Sequence, residues 1–217
     1  MDRIRDRIYD RLRADILELR LEPGRYLSEK ELTDMLGVSR SPLREALVRL
    51  AQEELIETVP QKGSFVSRID RRHVEEARFV REALETAIVR EACRQSSREL
   101  SLTLKNLISL QELAASEHNL SRFLDIDDEF HRAIAYACGK QRTWRLLQQM
   151  NTHYYRLRRL RLSDDPDWMI ILEQHRGIAD AIAARDAERA ERLMKEHLGR
   201  MLIEIGTLAA KYPHYFA

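Results

Sequence analysis

The sequence predicts a mainly α-helical protein: an N-terminal winged helix-turn-helix with a small β-hairpin, then an all-α antiparallel helical bundle. Apolar residues recur with the 3.6-residue period of amphipathic helices through most of the chain. The exception is Leu55–Ser67, where β-type residues at Ile56–Val59 and Ser64–Val66 flank a Gln-Lys-Gly turn, the pattern of a hairpin. Seven glycines and five prolines in 217 residues leave little room for further strands.

Two helices are predicted between the N-terminus and Gly37. The first helix carries an i, i+4 apolar stripe formed by Ile4, Ile8, Leu12, Ile16 and Leu19. The turn Leu21–Gly24 ends this helix. Ser28 with Glu31 three residues later forms a capping box, which starts a short second helix that ends at Gly37.

The third helix has an apolar face and a basic face. Ser39 is expected to cap it, and Pro42 suits its first turn because a missing N–H costs nothing there. The residues expected to be buried are Leu43, Ala46, Leu47 and Leu50. Arg40, Ser41 and Arg44 then point outward, where an arginine fork suits guanine or phosphate in a major groove. The alternative is an ordinary solvated helix face.

The segment LEPGRYLSEKELTDMLGVSRSPLREALVRLAQEELIETVPQKGSFV resembles the N-terminal domain of the GntR superfamily of bacterial transcription regulators, most recognisably at GVSRSPLREAL. The resemblance covers nearly all of residues 4–69 and implies a domain that binds double-stranded DNA. The DNA contacts that it implies come from Lys30, Arg40, Ser41, Pro42, Arg44, Arg49 and Gly63.

Everything after residue 70 is predicted to be helical. The six expected helices are His73–Gln95, Arg98–Ser116, Leu120–Cys138, Gln141–Leu162, Pro166–Ala184 and Asp186–Lys211. We therefore expect two domains, a DNA-binding domain over residues 1–69 and a helical domain over residues 70–217.

Composition excludes several classes of protein. Net charge is +1, so any claim of nucleic-acid binding depends on where the cations lie rather than on bulk charge. No apolar run approaches the ~20 residues of a membrane span, and the charged N-terminus is unlike a signal peptide, which predicts a cytoplasmic protein. Cys93 and Cys138 are too few and too far apart for a zinc ribbon or redox motif, which indicates buried reduced thiols.

Four residues of the helical part form a candidate metal site. Asp127 and His131 are i, i+4 on one helix and point the same way. His175 and His197 lie on consecutive helices, each ~15 Å from the turn at Arg185–Asp186 at 1.5 Å per residue, so both histidines lie at nearly the same height. Three imidazoles and one carboxylate inside a bundle form a divalent-metal ligand set.

Simpler interpretations of these residues stay open from the sequence. A histidine on an apolar helix face is commonly a hydrogen-bonded core residue, and Asp128 is an alternative inward carboxylate. Tyr154, Tyr155, Arg158 and Trp168 are candidates for lining a pocket, although such residues commonly serve packing and solvation.

The helical part resembles the FCD ligand-binding domain of the FadR-like branch of the GntR superfamily. The segments that carry the resemblance are VREALE, DDEFHRAIAYACG and EQHRGIADAIAARDAERAERLMKEHL, and six helices resemble the shorter, VanR-type group. Members with a metal use one Asp and three His, which the resemblance places at Asp127, His131, His175 and His197. One departure is Gly139-Lys140, where the family often has Gly-Asn.

The resemblance implies further partners and a mechanism. Arg81 matches a family arginine that pairs with an effector carboxylate; the alternative is an ordinary salt bridge. The cofactor is a divalent ion, and zinc, nickel and manganese each suit the ligand set. We expect a homodimeric regulator, a repressor and not an enzyme, that binds a palindromic operator and responds to a small organic acid. In the alternatives, the ion itself is the signal, has a purely structural role, or activates water in a metalloenzyme.

Overall fold

The computed structural model describes residues 2–164, 168–200 and 205–217. Helices dominate this part of the chain, and three short antiparallel strands follow the order β1-β3-β2. The predicted fold class is confirmed: a small N-terminal unit with a β-wing precedes a bundle of helices.

The N-terminal unit, called the head below, contains three helices and the sheet. Its elements are α1 (Asp2–Leu17), β1 (Tyr26–Leu27), α2 (Glu29–Leu36), α3 (Arg40–Gln52), β2 (Ile56–Val59) and β3 (Gly63–Val66). The predicted hairpin is the pair β2–β3, with Ile56 opposite Val66. Strand β1, which pairs with β3, was not predicted, because two residues are too short to show a two-residue period.

The core of the head forms where α1 packs against α3. Ile8, Leu12 and Ile16 are buried in one cluster with the predicted α3 residues, of which Leu43 and Leu50 are wholly buried. Two members of the predicted stripe fall outside this core. Ile4 is half exposed, and Leu19 lies beyond the end of α1 with a φ of +59°.

The helix caps of the head were predicted in part. Ser28 Oγ accepts a hydrogen bond from the Glu31 N–H at 3.3 Å, and Gly37 ends α2 with a φ of +64°, as expected. Ser39 takes the N-cap position of α3, but its side chain makes no capping hydrogen bond, so that part of the prediction is wrong.

The rest of the chain, called the body, contains eight described α-helices. These are α4 (Arg71–Arg94), α5 (Arg98–Ser116), α6 (Leu120–Ala137), α7 (Gln141–Met150), α8 (Thr152–Asp164), α9 (Trp168–Ala183), α10 (Ala187–Gly199) and α11 (Ile205–Lys211). Helix α4 packs along α10, and α5 packs along α6 and α9, around a core that contains Phe123 and Phe130. Cys93 and Cys138 are buried and unpaired, as expected.

One predicted helix differs from the structure, and parts of two others lie outside the described residues. The helix predicted over Gln141–Leu162 breaks at Asn151, which separates α7 from α8. The predicted start at Pro166 lies outside the described residues, as do residues 201–204 within the predicted helix Asp186–Lys211. No helix among those described is both long and apolar enough to cross a membrane.

Helix α8 of the body is hydrogen-bonded to the head and to the segment that follows it. The Arg156 guanidinium donates to the Ser67 carbonyl oxygen at 2.6 Å and to Ser67 Oγ at 3.1 Å. His153 Nδ1 accepts from the backbone N–H of Asp70 at 3.0 Å, and Arg159 Nε donates to the Glu18 carbonyl at 2.9 Å. These bonds attach α8 to the end of α1 and to the segment between β3 and α4.

Buried His153 predicts a pH dependence of stability. Burial, and then the Arg156 charge, lower the pKa of His153 to about 3, whereas an unfolded histidine titrates near 6.5. Below pH 6.5 the unfolded chain therefore takes up a proton that the folded protein excludes. The free energy of unfolding decreases as the pH is lowered. Between pH 7 and 5 this one group lowers the free energy of unfolding by about 2 kcal/mol.

A His153→Asn variant keeps a hydrogen-bond acceptor for the Asp70 N–H but has no imidazole to take up a proton in the unfolded chain. We expect its free energy of unfolding, from urea titrations in EDTA, to fall about 2 kcal/mol less between pH 7 and 5 than that of the wild type. His118→Asn, at an exposed position, is the control and should follow the wild type. Equal pH slopes for His153→Asn and wild type would contradict the assignment.

Candidate metal centre and DNA-binding surface

Asp127, His131, His175 and His197 converge at one point in the body. Asp127 and His131 lie on α6, His175 on α9 and His197 on α10, and one ligand atom from each lies within 4.8 Å of all the others. The Nε2 atoms of His131 and His197 are 3.2 Å apart, and His175 Nε2 is 3.6 Å from Asp127 Oδ1. The first three side chains are buried and His197 is half-buried.

The partner of His175 behind the cluster fixes which ring nitrogen carries the proton. Gln111 Nε2 donates to the Phe123 carbonyl at 3.3 Å, which orients the amide so that its oxygen faces His175 Nδ1 at 2.8 Å. His175 therefore donates from Nδ1 and carries its lone pair on Nε2. That Nε2 is buried and has no hydrogen-bond partner.

In the other two imidazoles, too, Nδ1 faces an acceptor oxygen. His197 Nδ1 lies 2.9 Å from Gln174 Oε1, and His131 Nδ1 lies 2.5 Å from Glu85 Oε2, although the latter contact is too bent for an aligned hydrogen bond. With each Nδ1 facing an acceptor, the three Nε2 lone pairs face one another and the Asp127 carboxylate. Lone pairs that face one another with no donor between them fit a cation. An acceptor at the second ring nitrogen is typical of histidines that bind metals.

The charges around the cluster keep its donors in the form that binds a metal. Burial would raise the pKa of Asp127, but the Arg158 guanidinium at 2.7 Å and the nearby imidazoles hold it well below its usual range. Burial lowers the pKa of His175 to about 3 despite the Asp127 charge, and burial also lowers the pKa of His197 well below its usual value. Those two rings are therefore neutral at pH 7, as metal ligands must be.

Asp128 does not take part in the cluster. Its Oδ1 accepts from Arg158 Nη1 at 2.8 Å, while Arg158 Nη2 binds Asp127. Asp127 is thus the inward carboxylate, and Arg158 joins the two neighbouring acids.

A cavity of about 20 Å³ borders the cluster and contains the predicted effector residue Arg81. Arg81 is 1% exposed, lies with its guanidinium 4.9 Å from the centre of the Tyr154 ring, and donates from Nε to Glu85 Oε1 at 2.6 Å. This pair is buried within α4, so it is neither a surface nor an interhelical salt bridge. Arg81 Nη2 is buried without a hydrogen-bond partner.

Of the other four residues predicted as candidates for lining a pocket, two line this cavity. Tyr154 and Arg158 line the cavity, together with Asp127 and His197. Tyr155 lines a separate cleft against α1 instead. Trp168 packs in the core, where its ring stacks on Phe123 with centroids 5.1 Å apart.

Four side chains around the cluster were not predicted to contact it: Glu85, Gln111, Gln174 and, at Asp127, Arg158. Glu85 follows Arg81 by four residues and Gln174 precedes His175, but no spacing relates these side chains to the rings that they contact. Only the rotation of each helix about its axis brings them behind the imidazoles.

A second group, Glu54, His73 and His153, also places possible ligand atoms within 4.8 Å of one another. His153 Nδ1 accepts from the Asp70 N–H, so its proton lies on Nε2, the nitrogen that faces Glu54. A protonated nitrogen cannot bind a metal, and this group therefore lacks the donor set of the first.

The outward face of α3 is basic, as predicted. Arg40, Ser41 and Arg44 are exposed, and Pro42 is half-buried in the first turn. Arg44 donates from Nε and Nη2 to the two carboxylate oxygens of Glu29 at 2.8 and 3.0 Å, so α2 holds its fork in place.

The remaining predicted DNA contacts have different surroundings. Lys30 is exposed on α2. Arg49 binds Asp6 at 2.8 Å and lies over the Tyr9 ring, so α1 holds it. Gly63 has a φ of +104°, a conformation that favours glycine whether or not the residue contacts DNA.

Two family models match the chain. The model of the bacterial regulatory proteins of the gntR family matches residues 4–66, and the FCD domain model matches residues 76–200. A HTH-type transcriptional regulator in an unstable DNA locus of Streptomyces ambofaciens, itself uncharacterized, is 35% identical over 97% of this chain and 88% of its own length. The chain belongs to the GntR family and carries its FCD domain.

One further relative in sequence and two solved structures of the same fold are similar to this GntR regulator. The HTH-type transcriptional repressor RspR of Escherichia coli K12 is 32% identical, covering 90% of the regulator and 86% of RspR. The structure of E. coli McbR/YncC matches with a TM-score of 0.77 at 21% identity, covering 96% of this chain and 98% of the other. A putative GntR regulator from Rhodococcus sp. RHA1 also gives 0.77, at 24% identity, covering 93% and 98%.

This GntR regulator is therefore a DNA-binding transcription regulator with an FCD domain. The family supports DNA binding by the head as a whole. The individual contacts of Lys30, Arg40, Ser41, Pro42, Arg44, Arg49 and Gly63 stay predictions.

Proposed function

We propose that the protein is a repressor whose operator binding is modulated by a small organic acid bound at a divalent metal ion in the body. The observation that supports this most is the cluster of three imidazoles and a carboxylate beside a cavity lined by three buried arginines, Arg81, Arg158 and Arg161. Residues 1–69 would form the DNA-binding domain, and residues 70–217 the effector-binding and dimerisation domain. A protein that binds operators acts in the cytoplasm.

On DNA, a homodimer would place two copies of α3 in successive major grooves, about 34 Å apart on a palindromic operator. Arg40 and Arg44 lie at the start of α3, where such a helix meets base edges or phosphates. Repression is the proposed sign because RspR, a relative over most of the chain, is named a repressor.

In the body, Asp127, His131, His175 and His197 would hold the ion, and zinc, nickel and manganese all suit three nitrogens and one oxygen. Such an ion, when bound, supplies free coordination positions for a carboxylate oxygen. Arg81 lines the same cavity and has no hydrogen-bond partner at Nη2, so it would pair with the negative charge of the acid.

Helix α8 gives this site a direct connection to the head. One face lines the cavity through Tyr154, Arg158 and Arg161. The other face holds the head and the segment that follows it, through His153, Arg156 and Arg159. An acid that favours one position of α8 over another would therefore also favour one position of the head, which is the requirement for a ligand-driven switch.

The second candidate function is a metal-sensing regulator in which the ion itself is the signal. The size of the cavity favours it, because 20 Å³ holds about one water molecule rather than an organic acid. The unpartnered Nη2 of Arg81 favours the acid, because the four proposed metal ligands do not need a further cation beside them.

An Arg81→Gln variant separates these two functions. If an acid is the signal, the variant should keep one metal ion per chain but lose most of the operator response to the acid that gives the largest thermal shift in a screen of small carboxylates. Mobility shifts with and without that acid measure the response. An unchanged response would support the metal-sensing function.

Replacing a ligand tests the metal itself. We expect purified wild-type protein to bind one Zn²⁺ or Ni²⁺ per chain, and Asp127→Asn or His175→Ala to weaken binding at least ~100-fold, because each removes a donor from a four-ligand set. Equilibrium dialysis with elemental analysis gives the stoichiometry. His118→Ala, at an exposed position, should match the wild type; variants at Asp127 and His175 that do so as well would overturn the site.

Replacing Arg156 tests the connection through α8. Arg156→Met keeps much of the buried volume but removes the hydrogen bonds to Ser67. The variant should still bind metal and acid, as thermal shifts report, while the acid-induced change in operator affinity shrinks at least ~5-fold. Lys105→Met, on the exposed side of α5, is the matched control. A normal response in Arg156→Met would show that α8 does not carry the signal.

A further inference from the structure

We propose that Glu85 is a positioning residue that ties the effector-binding Arg81 to the metal ligand His131, so that the charge on Arg81 sets how strongly His131 binds the ion. This inference rests on the proposed metal site and adds a coupling between metal and effector within it.

The geometry places Glu85 between the two groups. Its Oε1 accepts from Arg81 Nε at 2.6 Å, and its Oε2 lies 2.5 Å from His131 Nδ1. Glu85 is 4% exposed, and Arg81 and His131 are buried more deeply still. Arg81 and Glu85 are one turn apart on α4, and His131 faces them from α6.

The two other imidazoles differ in what lies behind them. His175 and His197 face the amide oxygens of Gln111 and Gln174, which carry no net charge. Among the described contacts behind the three rings, a carboxylate lies behind His131 alone. The electron density that His131 offers to a metal is therefore open to control by charge.

One buried carboxylate faces both the Arg81 guanidinium and His131 Nδ1. Electrostatic effects are strong in a protein interior. When an anion binds Arg81 through Nη2, the guanidinium attracts Glu85 less. Glu85 then interacts more strongly with His131 Nδ1–H, which makes the ring a better metal donor. Effector and metal should therefore each strengthen the binding of the other, by the same factor in both directions.

A double-mutant cycle with the metal alone tests this coupling. Zn²⁺ affinity is measured by competition with a chromophoric chelator for wild type, Arg81→Gln, Glu85→Gln and the double variant. We expect Glu85→Gln to weaken Zn²⁺ binding about 10- to 100-fold. Arg81→Gln should tighten it several-fold, and that gain should be at least ~3-fold smaller in the Glu85→Gln background, because the route through Glu85 is gone.

Two results would overturn the inference: Zn²⁺ affinity unchanged in Glu85→Gln, or an Arg81→Gln effect of equal size with and without Glu85. Both leave the wild-type metal site intact. Failure of the proposed function is a different result, in which the wild type itself binds no Zn²⁺.

A gain-of-affinity variant covers the case in which Glu85→Gln does not fold. Gln174→Glu places a carboxylate behind His197 at the half-buried position of the present amide, which imitates the arrangement at His131. It should tighten Zn²⁺ binding and shift the visible absorption of bound Co²⁺. If Gln174→Glu leaves both unchanged, a charged partner behind the ring does not control the metal, and the inference fails.

Discussion

The structure depends on one constraint: three imidazole lone pairs and a carboxylate face each other in the interior of a helical bundle. Such a group is costly to bury unless every polar atom has a partner. The protein meets this cost from behind the cluster, through Glu85, Gln111, Gln174 and Arg158. Phe130 stacks on the His175 ring with centroids 4.1 Å apart. These contacts fix α4, α5, α6, α8, α9 and α10 around one point, which a cation would complete.

In the proposed function, the body would act on the head through a helix that reaches this cluster. Helix α8 supplies Arg158 to the cluster and Arg156 to Ser67, two residues apart on one rigid helix. In the proposed function, a ligand at the centre of the bundle would shift packed helices as units, because packed interiors do not deform gradually. The segment that follows the wing would then move with α8, to which it is hydrogen-bonded.

The sequence predicted those features that follow from local spacing. The Ser28 cap, the β2–β3 hairpin and the apolar face of α3 needed only neighbouring residues. The meeting of His175 with His197 followed from their equal distance to one tight turn. The break at Asn151 escaped prediction because the apolar spacing of Trp144, Leu147, Tyr154 and Leu157 continues across it. The partners behind the imidazoles escaped too, since helix rotation, and not sequence spacing, decides which side chains meet.

X-ray absorption of the zinc-loaded protein tests the central claim most directly, because it reports the atoms around the ion. The account predicts a shell of nitrogen and oxygen near 2.0–2.2 Å, with the outer-shell scattering of about three imidazoles. A shell of sulfur near 2.3 Å, or one of oxygen without imidazole scattering, would contradict it.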